Sequence, residues 1–140
     1  MPTRSKELSI TINELPSKEL SGNKRLGWAG QHRAKREQVG VWLYLLRDAL
    51  GPPPWPTFDA AVKVAIHVTG TGKRIDPDNW VAGNSSLKVL MDCLTARSGF
   101  GLGIIRDDSP GYVKSYRVQV DTQGEPQTQI HIQEVGDGTD

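Results

Sequence analysis

Asp76 and Asp78 stand one residue apart in the segment Arg74-Ile75-Asp76-Pro77-Asp78-Asn79, and a second acidic pair follows at Asp107-Asp108. Lys88 and Asp92 lie between them, four residues apart. Pro77 biases Asp76 toward extended backbone, in which residues i and i+2 point to the same side. Their Cα atoms are then about 6.5 to 7 Å apart, close enough for two carboxylates to converge on one hard cation. Several carboxylates brought together without a counter-charge are costly, and Mg²⁺, or Mn²⁺, supplies that charge. A metal held this way activates a water and neutralises negative charge that develops beside it. The same residues also have a plainer use. Asp-Pro-Asp-Asn and Asp-Asp-Ser-Pro-Gly are good turn sequences, and Lys88 with Asp92 makes an ordinary i, i+4 surface pair.

The elements that must position these residues follow from periodicity. Leu8, Ile10 and Ile12 alternate with polar residues, as in a half-buried strand. Residues 16 to 30 are turn-rich and read as a loop. From about Gln31 the recurrence of Val39, Trp42, Leu46 and Ala49/Leu50 predicts a helix, stopped by Gly51 and the prolines at 52 to 54. Residues 60 to 69 alternate as a strand, with Ala60, Val62, Val64, Ile66 and Val68 on one face and His67 on the more polar one. Pro77 keeps the Asp76/Asp78 pair at a strand end or edge. Leu87, Leu90, Met91 and Leu94 predict a second, amphipathic helix, capped by Asn84, Ser85 or Ser86. The glycine-rich loop that follows looks exposed at Phe100, Leu102, Ile104 and Ile105, a candidate for dimer contact that can equally fold back on the core. Residues 112 to 120 and 128 to 132 alternate as the last two strands. The expected architecture is α+β: a single domain over 1–140, with a four-stranded mixed or mainly antiparallel sheet and two main helices. Its core spans about 8–135, and 136–140 form a frayed tail.

The composition bounds the classes of function. A chain of 140 residues builds one core. No apolar run reaches the roughly 18 residues of a membrane span, and no signal peptide opens the chain, so a cytoplasmic protein without a membrane partner is expected. A lone cysteine, Cys93, excludes an internal disulfide and a Cys-based zinc site. His32, His67 and His131 lack ligand spacing. The net charge of +1 hides a polarised distribution. Residues 18 to 36 carry Lys18, Lys24, Arg25, Arg33, Lys35 and Arg36 against Glu19, whereas the last twenty residues hold five acids and neither lysine nor arginine. The basic cluster is either a solvated surface or a grip on a phosphate backbone.

Taken together, the pattern Arg74-x-Asp76-x-Asp78-Asn79, then Lys88-x-x-x-Asp92-x-Leu94, then Asp107-Asp108 before a strand resembles the RusA family of Holliday junction resolvases. The order of elements and the loop residues Asn23, Lys24, Arg25 and Trp28 extend the resemblance over about residues 8 to 120. It implies a Mg²⁺-dependent (or Mn²⁺-dependent) endonuclease acting as a homodimer on four-way DNA junctions. Carried over residue by residue, the catalytic group is Asp76, Asp78, Asp108 and Lys88. The metal ligands are Asp76, Asp78, Asp108 and Asp107. Lys24, Arg25, Arg33, Lys35, Arg36 and Arg74 contact DNA, and no small-molecule cofactor is implied. Two opposed nicks in a two-fold junction need two copies of a one-site chain. Two alternatives use the same residues: a nuclease for other branched or single-stranded DNA, and a non-catalytic junction-binding module in which the acids are turns.

Overall fold

The computed structural model describes residues 6–15, 28–72, 86–96, 100–107 and 111–135. Six elements follow in order: β1 (Glu7–Ile12), α1 (Trp28–Leu50), β2 (Val62–Thr69), α2 (Ser86–Leu94), β3 (Val113–Val120) and β4 (Gln127–Glu134). The strands form one sheet in the order β1-β4-β2-β3. β4 runs antiparallel to both β1 and β2, while β3 runs parallel to β2. The sheet is therefore mixed, and β2–α2–β3 is a parallel crossover unit, the kind of connection that needs a helix rather than a hairpin.

Alternation decides which face is covered. Ile10 and Ile12 of β1, Val62, Val64, Ile66 and Val68 of β2, and Ile130 and Ile132 of β4 all point into one core. Trp42 and Leu46 of α1 and Leu87, Leu90 and Leu94 of α2 close over it. The opposite face carries Ser9, Thr11, Lys63, Ala65 and Gln129, all exposed. The molecule is thus two layers, helices on one side of a sheet whose other side is polar. Ala60, grouped with the β2 core face by alternation alone, is exposed, because the strand begins only at Val62.

α1 ends as its sequence dictates. Gly51 takes a left-handed φ of 80° and its N–H bonds Arg47 O at 2.9 Å, which satisfies a terminal carbonyl. Trp55 Nε1 donates to Gly51 O at 2.8 Å and anchors the proline segment on the helix end.

Candidate functional site

Leu87, Val89, Leu90, Met91, Cys93 and Leu94 of α2 are shielded, which among its described side chains leaves Lys88 and Asp92 reaching solvent. Lys88 Nζ donates to Asp92 Oδ1 at 3.3 Å, and Thr95 Oγ1 donates to the Asp92 carbonyl at 3.2 Å. The side chains are 38% and 21% exposed, so the pair is a narrow charged window in an apolar helix. Such an i, i+4 pair contributes about 0.3 to 0.5 kcal/mol when solvated. Cys93, on the inner side, approaches Val39 O at 3.9 Å, and burial first, then the Asp92 charge, pushes its thiol up to about 12.

The segment after α2 folds back on the core. Leu102 N–H bonds Cys93 O at 2.7 Å, Ile105 N–H bonds Leu94 O at 2.9 Å, and Ala96 N–H bonds Ile105 O at 3.0 Å. Phe58 N–H bonds Ile104 O at 2.8 Å. Ile104 and Ile105 are fully buried, so the exposed apolar loop expected over 100 to 105 reduces to Phe100, which is 39% exposed. The hydrogen bonds on both sides of Ile105 turn what reads as a loose glycine-rich loop into part of the interior. They also fix where Asp107 emerges. It is half-buried with Oδ1 shielded from solvent, two residues beyond the pinned Ile105. Arg106, next in sequence to Asp107, lies 5.5 Å from the Tyr112 ring centroid.

Of the four metal-ligand candidates, Asp107 is described; Asp76, Asp78 and Asp108 lie outside the described residues, as do Arg74, Lys24 and Arg25. The topology still constrains them. β2 delivers the chain toward Asp76 at its carboxyl end, where Gly70 N–H bonds Gln123 O and Gly72 N–H bonds Thr122 O, each at 3.0 Å. β3 is parallel to β2, so the chain enters β3 at the opposite end, where Val62 N–H bonds Tyr112 O at 2.7 Å, and Asp107 precedes that point by five residues. Eight residues of parallel strand span about 23 Å. At about 3.3 to 3.6 Å per residue, Asp76 lies no more than about 13 to 14 Å from Gly72 and Asp78 no more than about 20 to 22 Å, both short of that span, so the strand ends by themselves do not bring these acids to Asp107. Among the described residues no group of three or more His, Cys, Asp or Glu side chains is arranged to hold a metal.

The basic residues of α1 divide. At about 100° per residue, Arg36, Arg47, Gly40 and Arg33 fall within roughly 60° of one another on the outer face, with Tyr44 beside them. Arg33, Arg36 and Arg47 are exposed. Lys35 is half-buried and sits about 130° from the middle of that stripe, on the side of the buried Gln38, Trp42 and Leu46. The cluster that is contiguous in sequence is thus split in space, and Arg47 and Tyr44 join it from eleven and eight residues beyond Arg36. Helical spacing, rather than local charge density, is the signal that finds them.

On the uncovered sheet face His67 Nε2 contacts Asp121 Oδ2, and Gln119 Nε2 donates to the same oxygen at 3.3 Å. The hydrogen bond with His67 first, and against the opposing desolvation also the His67 charge and the Gln119 amide, hold the Asp121 carboxyl below the usual range. A second pair, His131 Nε2 with Glu7 Oε2 at 3.6 Å, lies across β4 and β1.

No protein-family model and no curated protein sequence matches this chain. The resemblance to RusA-type resolvases accordingly rests on the motif residues and on their order along the chain. Among the described residues, no helix is long and apolar enough to cross a membrane.

Proposed function

We propose that this chain is a metal-dependent endonuclease that cuts branched DNA, resolving four-way junctions as a homodimer. The observation that carries the reading is the spacing of Arg74, Asp76, Asp78, Asn79, Lys88 and Asp107-Asp108 along a strand–helix–strand unit. The donor set suits the metal. Asp76, Asp78, Asp107 and Asp108 offer carboxylate oxygens alone, the ligands that Mg²⁺ and Mn²⁺ prefer over imidazole or thiolate. When bound, the ion supplies a nucleophilic water and charge neutralisation at the phosphate.

The chain's own residues have separate tasks in this reading. The carboxylates of Asp76, Asp78, Asp108 and the half-buried Asp107 hold the ion. Lys88 contributes positive charge from the polar window it forms with Asp92 on α2, and its partner Asp92 orients it. Lys24, Arg25, Arg33, Arg36 and Arg74 grip the DNA backbone through salt-sensitive contacts. Lys35 contributes less, since it turns toward the core side of α1.

The test is cleavage of a synthetic four-way junction labelled on each strand, with and without Mg²⁺, beside Asp76→Asn and Asp108→Asn. Paired symmetric nicks that require Mg²⁺ and vanish in both variants are expected. Cutting confined to flaps or single strands moves the function to another DNA nuclease. Junction binding without cleavage in Mg²⁺ or Mn²⁺ returns the acids to turns and makes the chain a binding module. Mn²⁺ titration of the two single variants and the double variant reads whether the acids share a centre. Loss of the same site in all three is the result for one centre, and additive partial losses mean two.

A further inference from the structure

The outer stripe of α1 has features that its packing within the chain does not require. Arg33, Arg36 and Arg47 are exposed on it, and none has an ion-pair partner among the described residues. Tyr44 is 69% exposed beside them. Gly40 is the middle residue of the Arg33–Arg47 span, and a Cβ built there meets nothing within 4 Å. A glycine inside a helix is destabilising relative to alanine, and here no crowding within the chain calls for it. What a glycine provides at such a place is close approach of the helix backbone to something outside.

We infer that this stripe is a docking surface for duplex nucleic acid, with the arginines on phosphates and Gly40 letting the middle of the helix sit flush against the backbone. The dimensions fit. From Arg33 to Arg47 the helix rises about 21 Å, and from Arg36 to Arg47 about 16 Å. Both exceed the roughly 12 Å width of the B-DNA major groove, so arginines at the two ends reach phosphates on both of its walls. The charge pattern gives the approach a direction. Glu37 and Asp48 lie about 70 to 90° to one side of the stripe, so the duplex meets α1 from the other side. The inference deepens the branched-DNA reading and rests on it for the choice of DNA. It adds Arg47, Gly40 and Tyr44 to the contact surface and removes Lys35.

The test is binding of a blunt linear duplex to the full chain by fluorescence anisotropy, in EDTA, over about 50 to 200 mM NaCl. Each arginine on a phosphate contributes about 0.9 to the slope of log affinity against log salt. The Arg33→Gln, Arg36→Gln, Arg47→Gln triple variant is therefore expected to lower that slope by about 2 to 3. A charge-matched triple on β2 and β3 (Lys63→Gln, Lys114→Gln, Arg117→Gln) is expected to leave the slope within about 1 of the parent's. Gly40→Leu, in which leucine is the better helix former, is expected to hold or raise the melting temperature while weakening binding several-fold. Equal losses in the two triples, or Gly40→Leu binding unchanged, overturn the inference. So does a change in sedimentation of the α1 triple with DNA affinity intact, which assigns the stripe to a second copy of the chain. Because EDTA removes cleavage from the readout, a parent that binds duplex through the stripe but never cuts refutes the nuclease reading alone. A parent that cuts junctions while the α1 triple binds normally refutes the stripe alone.

Discussion

Gly70 is where β2 gives way to the segment bearing Asp76 and Asp78, and replacing it with alanine is the most informative single change for the fold around the site. Its φ is 72°, and a Cβ built on it meets Glu125 C and Pro126 N at 2.6 Å and Glu125 O at 2.7 Å. The left-handed backbone alone costs an alanine about 1 kcal/mol. The contact is with main chain, which no side-chain rotation relieves. Clearing it pulls the 121–126 turn away from β2, at the expense of Gly70 N–H to Gln123 O and of Thr69 Oγ1 to Glu125 O at 2.6 Å. At about 0.5 to 1.5 kcal/mol per hydrogen bond, the total loss is roughly 2 to 4 kcal/mol. Gly72→Ala is the internal reference. Its φ is 75°, yet nothing lies within 4 Å of the added methyl, so it pays about 1 kcal/mol for the backbone alone. Urea unfolding of the parent and both variants, followed by circular dichroism, measures the difference at constant m. A Gly70→Ala loss within about 0.5 kcal/mol of Gly72→Ala would refute the packing of the turn on Gly70. The same variants assayed for junction cleavage read how far the course of the chain leaving β2 governs the acids beyond it.

Three further outcomes follow from single side chains. Cys93, buried and with its thiol pushed up to about 12, is expected to resist a disulfide-exchange reagent at pH 8 in the native chain and to react fully in denaturant; prompt native modification would contradict its burial. Tyr116 has a buried hydroxyl with no hydrogen-bond partner among the described residues, and burial raises its phenol above the usual range. Tyr116→Phe should therefore be neutral or stabilising by up to about 1 kcal/mol in urea unfolding, and a loss larger than that would mean the hydroxyl is satisfied. The Asp121 carboxyl is lowered in the folded chain, so its stabilising contribution is present above the ordinary aspartate range near pH ~4 and is lost as pH falls through the folded value. Asp121→Asn should flatten that acid limb of stability, and a parallel limb in the variant would remove the His67 interaction as its source.

The strands were legible because their alternation is strong: Leu8-Ile10-Ile12, Val62 to Val68 and Thr128-Ile130-Ile132 each put one row of side chains inward, and the sheet is mixed as expected. α2 was legible from Leu87, Leu90, Met91 and Leu94, and α1 begins at Trp28, three residues before the expected start. Ile104 and Ile105 were not, because their burial comes from bridges to Phe58 and Thr95, partners far apart in sequence that leave no period to read. The spatial grouping of the basic residues was not legible for a related reason. Charge counted along the chain groups Lys35 with Arg36, while the helix separates them and brings Arg47 in. For the acids, the sequence shows type and spacing. The parallel pairing of β2 with β3, which sets the span between the strand ends, appears only in the fold.

The strand order has a consequence for how the chain reaches this state. β4 follows every other described element, yet it lies between β1 and β2, and β1 has no other neighbour in the sheet. Thr128 Oγ1 already reaches back across 114 positions to Glu14 O. Before β4 docks, β1 is a strand without a partner and β2 offers a bare inner edge, so neither half of the sheet is a stable intermediate. Folding is then slow for a domain of this size and close to all-or-none, since the pairings that complete it are the most distant in sequence. Cutting the chain just before Gln127 would remove the middle of the sheet rather than its margin, because the last strand in the sequence supplies the sheet's centre.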